Sequence, residues 1–411
     1  MVGVEPHLVV VGGSLAGLRA VESARRAGFT GAITLVGAEA HLPYDRPPLS
    51  KEFLTEAGEP APTMLRDPAV LRDELRIDLR LGTVATALDP AERVVWLGED
   101  SLTYTSLVIA TGARPRNFPG ADQLSGVHTL RTLEDARRIR AALDAGARTV
   151  VVGAGFIGSE IASSARQRGS TVTIVEAMPT PLARPVGEEM GVVLAAMHER
   201  NGTALRCGIG VEEIEGVGKV EAVRLADGTR IEADLVVVGV GVTPNVEWLE
   251  TSGLELGNGI ECDKTLQTSA PGVYAAGDVA SWPNPAFDTR MRLEHWTIAA
   301  EQGGIAGRHA ADPAGAAAYS TVPYFWSDWY GKRIQSVGIG SAADETMLVD
   351  GNLDNGSFLV LYRRGDRIVA ALGVEQRSQI MKYRLMIGKG ASWAEALEFA
   401  RQRSAARSTK R

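Results

Sequence analysis

Apolar positions along the chain come in short runs, and many of these runs end in glycine. Residues 7–11 (HLVVV) are apolar and rich in β-branched side chains, which predicts a strand. Residues 12–17 (GGSLAG) follow, then 18–27 with helical spacing, closed by Gly28. Residues 32–36 (AITLV) predict a second strand. Strand, glycine turn, helix and strand make one βαβ unit of about 30 residues. The pattern returns in full at 149–176: TVVV, then GAGFIG, a helix over 159–168 closed by Gly169, and TVTIV ending at Glu176. A repeat this far apart is too long for a solenoid and predicts two nucleotide-binding domains of one type. Three more apolar strands end in small residues: 107–112 (LVIATG), 235–245 (LVVVGVGVTPN) and 272–278 (GVYAAGD). Small residues at strand ends let backbone approach a ligand closely.

From about Val322 the pattern changes. Aromatic residues cluster at 324–330, alternating strands such as 358–363 follow, and a helix is expected from Ser392 to about Arg403. This predicts a separate α+β domain. Residues 401–411 lack acids and are expected to be a frayed tail. The Arg/Glu-rich helix at 131–144 is expected to present a solvated face.

Composition narrows the function. The 411 residues carry a net charge of −7, which argues against a dedicated nucleic-acid binder. No run of 18 apolar residues occurs, so a membrane span is not expected. Residues 1–8 have no basic n-region, so a secretory leader is not expected and a cytoplasmic setting fits. Two cysteines, Cys207 and Cys262, are too few for a disulfide scaffold, a CxxC redox motif or a cysteine-built cluster site. Six scattered histidines form no ligand pair, so no metal site is argued.

The second glycine turn matches G-x-G-x-x-G in full. Gly153 permits the tight turn, Gly155 lets N–H groups approach a pyrophosphate, and Gly158 lets the helix pack on the strand. Glu176, at the strand end, is placed to accept from a ribose hydroxyl. The first copy departs from the motif: Ser14 holds the second glycine position, and the acid is displaced to Glu39 behind Gly37 and Ala38. Two such sites in one chain suggest FAD plus a pyridine nucleotide.

With these motifs the chain resembles the NADH-dependent ferredoxin reductases, FAD proteins that supply electrons to cytochrome P450 and ring-hydroxylating dioxygenase systems and are similar to rubredoxin reductases. The resemblance covers nearly the whole chain. It rests on VVGGSLAG (10–17), LPYDRPPLSK (42–51), LVIATGARPR (107–116), LRTLEDA (130–136), VVVGAGFIGSE (150–160), VGVGVTPN (238–245), GVYAAGDVA (272–280) and PYFWSD (323–328). LPYDRPPLSK and PYFWSD are the most specific.

The resemblance implies an α/β fold: two Rossmann-like FAD/NAD(P)-binding domains of glutathione-reductase type plus a C-terminal α+β domain. The FAD domain is expected at 1–114 and 246–322, the NAD domain at 115–245 and the C-terminal domain at 323–411, closing over the flavin through Trp326. Lys51 looks like the family lysine beside the flavin N5 and Glu160 like its carboxylate partner; either alone would read as a solvated surface charge. Arg46 and Arg131 look like flavin contacts, Asp278 like the ribityl ligand, and Trp296 and Trp326 like aromatics lining the ring. Gly12, Ser14, Leu15, Ala16, Glu39, Ala85, Ala110, Thr111 and Gly112 complete the expected flavin set. Gly153, Gly155, Phe156, Ile157, Gly158, Glu160, Glu176, Arg184 and Gly241 make the expected NADH set.

The implied activity is hydride transfer from NADH to FAD, followed by single-electron transfer to a [2Fe–2S] ferredoxin that serves a P450 or aromatic-ring oxygenase. A disulfide reductase would need a cysteine near the flavin motifs, and none lies between Gly12 and Thr149. An NADH-sensing flavoprotein of apoptosis-inducing-factor type is the other alternative. Residues 301–411 carry 15 Lys and Arg against 11 Asp and Glu. Lys332, Arg333, Arg363, Arg364 and Arg367 are therefore expected to form a patch that steers an acidic ferredoxin.

Overall fold

The computed structural model describes residues 5–408, except the side chains of Asp122, Ala342 and 404–408. The chain divides into two compact units. The first holds residues up to Asp45, Pro62–Arg114 and Thr243–Thr321; the second holds Arg46–Ala61, Pro115–Val242 and Val322 onward.

In the first unit the leading βαβ segment forms as its pattern dictates. The strand His7–Val11 is flanked by Ala32–Gly37 on one side and Ser106–Ile109 on the other, all parallel. Ile77–Leu81 and Val273–Ala275 complete the sheet, in the order 273–275, 106–109, 7–11, 32–37, 77–81. Leu8, Val9 and Val10 are fully buried, as expected of a parallel strand covered on both faces. The strand order reverses between 7–11 and 106–109, which is where such sheets open a crevice for a ligand. The helix Leu15–Arg26 packs against Trp296–Ala311 at glycine. A Cβ on Gly303 or Gly307 would collide with the carbonyl oxygens of Ala16 and Ala20, so only glycine allows the approach.

The second unit repeats the plan. Its parallel sheet runs Ala204–Cys207, Val172–Glu176, Thr149–Val152, Leu235–Val238, Val127–His128. The order again reverses beside the glycine turn, between 149–152 and 235–238. The apolar run expected over 235–245 breaks into the strands Leu235–Val238 and Val242–Pro244, because Gly241 (φ 102°) turns the chain. The last part is a five-stranded antiparallel sheet in the order Tyr324–Trp329, Lys332–Gly338, Arg367–Val374, Ser357–Arg364, Glu345–Asn352. One face buries Trp329, Ile334, Phe358, Val360 and Leu372 against Met190, Leu194 and Met197 of the helix Glu188–Arg200.

Two expectations need correction. The final helix runs Trp393–Ser408, well past Arg403. Ser392 and Glu395 cap its start reciprocally, and Glu398 holds Arg401 and Gln402 one turn on, which extends it through a stretch of good helix formers. Only residues 409–411 of the expected tail lie outside the described residues, as do residues 1–4 of the N-terminal stretch. The helix Leu133–Asp144 is not simply solvated: Leu133, Ala136, Ile139 and Leu143 are buried. Arg140 is buried with them and donates to the carbonyls of Phe53 and Glu56 at 2.6 Å each, anchoring the segment that carries Lys51.

Candidate active site

The first glycine turn sits at the carboxyl ends of three adjacent strands. Gly12 has φ 131°, and a Cβ there would collide with the Ala110 carbonyl. A Cβ on Gly17 would collide with the Gly12 carbonyl, so turn and helix lock together. Ser14 caps the helix in extended geometry, and Leu15 and Ala16 are buried in its first turn. The displaced acid has a physical reason. An added Cβ on Gly13 would lie 3.0 Å from the Gly37 Cα, so the strand end there must also be glycine. Glu39 follows, and its carboxylate accepts from the Tyr44 hydroxyl at 2.5 Å.

Ala110, Thr111 and Gly112 follow the neighbouring strand. The Thr111 hydroxyl donates to the Asn245 carbonyl at 3.0 Å, and Asn245 Nδ2 returns a bond to the Thr111 carbonyl at 2.9 Å. Asp278 lies in the next strand's terminal turn, whose Gly277 N–H donates to the buried Gln302 side chain at 2.9 Å. Trp296 opens the helix Trp296–Ala311, and its indole N–H donates to Asp45 at 2.7 Å. Ala85 is buried just before the short strand Ala87–Asp89. Gly12 to Ala16, Ala110 to Gly112 and Asp278 thus converge on one edge of the sheet. Backbone N–H groups there and the helix N-terminus suit a pyrophosphate.

The second turn is built alike. Gly153 has φ 103°, and a Cβ on it would collide with the Gly239 carbonyl. A Cβ on Gly158 would collide with the Gly153 carbonyl. Around Gly155, by contrast, no atom lies within 4 Å of an added Cβ, so the space before the helix Phe156–Gln167 is open. That is the cradle a dinucleotide phosphate requires. Glu176 is fixed by two backbone donors, Ala154 N–H at 2.8 Å and Met178 N–H at 2.9 Å. Gly241 accepts from Arg116 N–H at 2.9 Å. Arg184 is exposed on the short helix Ala183–Val186. Ile157 is half exposed, while Phe156 turns inward against Phe325, ring centroids 4.4 Å apart.

Lys51 and Glu160 meet. The Pro47–Ser50 turn presents Lys51, and the first turns of Phe156–Gln167 present Glu160. Lys51 Nζ lies 2.6 Å from Glu160 Oε2, and the carboxylate is 2 % exposed. Lys51 also donates to the Pro47 carbonyl at 3.2 Å. Sequence reasoning missed three further donors: Ser50 Oγ at 2.5 Å to Oε2, Ser327 Oγ at 2.6 Å to Oε1, and Asp328 N–H at 3.2 Å to Oε1. Both serines stand inside the two most specific motifs, PPLSK and YFWSD, so their position was a signal. A buried carboxylate is tolerable only when paired and hydrogen-bonded, and here both oxygens are. Nearby, Arg46 donates to the Arg131 carbonyl at 2.6 Å, and Trp326 stacks on Tyr324 with centroids 6.0 Å apart.

Charge and thiol placement bear on function. Arg333 is held by both oxygens of Asp328 at 2.7 and 2.8 Å, and Arg363 pairs with Glu345 at 2.5 Å. These two cations of the expected docking patch are therefore neutralised locally. The helix Arg377–Gly388 instead carries Arg377, Lys382 and Arg384 and no acid, with Met381, Lys382 and Leu385 exposed. Both cysteines are free; burial pushes the Cys262 thiol up to about 12 and raises that of Cys207. Neither suits the thiolate chemistry of a disulfide reductase. No helix among the described residues is long and apolar enough to cross a membrane.

Two dinucleotide-type turns and a buried Lys–Glu pair define a two-nucleotide oxidoreductase. The family model described as pyridine nucleotide-disulphide oxidoreductase matches residues 6–303, and the reductase C-terminal model matches 324–404. The chain belongs to this pyridine nucleotide-disulphide oxidoreductase family, in its ferredoxin–NAD(+) reductase branch. It is 39% identical to rhodocoxin reductase of Rhodococcus erythropolis, over 90% of this chain and 85% of that one. It is 38% identical to the ferredoxin–NAD(+) reductase component of the anthranilate 1,2-dioxygenase system of Burkholderia cepacia, over 93% and 94%. Its structure matches the crystal structure of the covalent putidaredoxin reductase–putidaredoxin complex with a TM-score of 0.89 and 33% identity, covering 94% of both chains.

Proposed function

We propose that the chain is an NADH:ferredoxin oxidoreductase that uses bound FAD and delivers electrons to a [2Fe–2S] ferredoxin serving a P450 or aromatic-ring oxygenase. The observation that carries this reading is the Lys51–Glu160 pair, set behind a complete dinucleotide turn in a chain whose thiols are unsuited to disulfide chemistry. FAD supplies the exchange between a two-electron hydride donor and a one-electron acceptor.

The chain's own residues do the rest. Gly12 to Ala16, with Ala110 to Gly112, bind and orient one dinucleotide; Gly153 to Gly158 bind the other. Glu176 accepts hydrogen bonds from the coenzyme ribose. Lys51 would offer its ammonium to the flavin, and Glu160 holds that group in place. Arg46, Arg131, Asp278, Trp296 and Trp326 are assigned to FAD on the family pattern. The same reading divides the chain into FAD-binding (1–114, 246–322), NAD-binding (115–245) and C-terminal (323–411) parts. In support, each large sheet lies wholly within one of these ranges. A cytoplasmic setting follows from NADH as donor.

The test is NADH-driven cytochrome c reduction with and without an added [2Fe–2S] ferredoxin. Strong ferredoxin dependence is expected. A rate indifferent to every ferredoxin offered, or rapid thiol release from a disulfide substrate, would overturn the reading.

A further inference from the structure

Ser327 bonds to Glu160 in only one possible sense. Its Oγ lies 2.8 Å from the Trp329 indole nitrogen and 2.6 Å from Glu160 Oε1. An indole N–H can only donate, so Ser327 must accept from Trp329. Its single proton is then left for Glu160. The serine is fully buried, as is Trp329, so water does not compete. Trp329 is itself held by a stack on His198, ring centroids 5.1 Å apart and 28° between planes. His198 is pinned between Ser159 Oγ at 3.2 Å and the Tyr330 hydroxyl at 2.8 Å. A rigid aromatic wall therefore dictates where one hydroxyl proton points.

All the partners of Glu160 are donors: Lys51 and Ser50 on Oε2, Ser327 and Asp328 N–H on Oε1. A carboxylate has about four acceptor positions, so all four are used. With Ser327 and Asp328 holding Oε1, the carboxylate plane is fixed and Oε2 must face Lys51.

We propose that Ser327 is a positioning residue for the Lys51–Glu160 pair, its proton steered onto Glu160 by the Trp329 indole. The proposal rests on the reading that this pair acts in electron transfer and adds to it a residue from the C-terminal sheet. Loss of the Ser327 hydroxyl leaves Oε1 held by the Asp328 N–H alone and Lys51 less firmly held.

The experiment is site-resolved reductive methylation of the full-length, FAD-loaded protein, read by mass spectrometry, for wild type, Ser327→Ala, Ser327→Thr and Trp329→Phe. In Ser327→Ala, Lys51 should label about tenfold faster or more, the change that losing one charge-assisted hydrogen bond produces, while Lys219, Lys264 and Lys382 keep their wild-type rates. Ser327→Thr keeps a hydroxyl and should restore slow labelling. Trp329→Phe frees the Ser327 proton to rotate and should give an intermediate rate. Unchanged Lys51 labelling in Ser327→Ala would overturn the proposal, and so would a uniform rise at all lysines, which would report general loosening. The labelling result does not depend on which acceptor the enzyme serves, so its failure is distinct from failure of the ferredoxin reading.

Discussion

Replacing Glu176 should redraw the choice between NADH and NADPH. Both oxygens of this carboxylate are held by backbone N–H groups, from Ala154 and Met178, so it cannot swing aside for a second anion. The following residues, 177–183, hold no Lys or Arg, and Arg184 is the first cation. A 2′-phosphate carries about two negative charges at neutral pH. At about 6 Å from the carboxylate, the repulsion from both charges together is about 1.4 kcal/mol at the dielectric of water and about 5.5 kcal/mol at an effective dielectric near 20. Every 1.4 kcal/mol or so is tenfold, so NADH should win by well over tenfold in kcat/KM. Glu176→Gln keeps an acceptor for one N–H and removes the charge. Its NADH/NADPH ratio should fall by about tenfold or more, through a gain with NADPH as well as a loss with NADH. Steady-state ferricyanide reduction with each coenzyme measures this, with coenzyme Kd values by flavin fluorescence as a check. Equal kcat/KM values for the two coenzymes in the wild type would refute the reasoning, as would an unchanged ratio in Glu176→Gln.

Other outcomes follow from the same structure. Gly17→Ala drives a Cβ into the Gly12 carbonyl and should yield protein poor in FAD, seen in the 450/280 nm absorbance ratio; Gly158→Ala drives one into the Gly153 carbonyl and should raise the NADH KM with FAD content kept. Burial pushes the His198 imidazole down to about 4. Because the unfolded chain protonates first, its contribution is complete above about pH 6.5 and is lost as pH falls towards 4, by up to about 3 kcal/mol. Thermal midpoints should therefore drop less between pH 7 and 4.5 in His198→Gln than in wild type. Lys382→Glu and Lys389→Glu, on and just after the acid-free helix, should raise the ferredoxin KM and flatten its salt dependence, whereas Arg333→Ala, whose cation is already paired, should not; a salt-independent KM in the wild type would make the docking mainly apolar.

Local pattern carried far in this chain. The βαβ units at 7–37 and 149–176 were legible because strand period, glycine spacing and the terminal acid are all local signals. Lys51 and Glu160 lie 109 residues apart, and only the family resemblance joined them; the ion pair itself is geometry. Ser50 and Ser327 stand inside the two most specific motifs, but a serine in a motif does not say where its proton goes. The charge count over 301–411 was correct in sum yet misleading in place, because local pairing such as Arg333 with Asp328 cancels charge that composition leaves standing. The helix Leu133–Asp144 hid Arg140 for a related reason: it falls in register with Leu133, Ala136 and Leu143, and the carbonyls of Phe53 and Glu56 that receive it are distant in sequence. The Glu39 offset became intelligible only when Gly13 and Gly37 were seen to pass at close range.

The buried Lys51–Glu160 pair is the feature on which the proposed electron transfer at the flavin depends. Anaerobic stopped-flow reduction by NADH, followed at 450 nm in Lys51→Met and Glu160→Ala with FAD at full stoichiometry, tests it most directly. Flavin reduction should slow by about tenfold or more in both variants, the effect of losing at least one charge-assisted contact. Wild-type traces in both, with FAD retained, would contradict it.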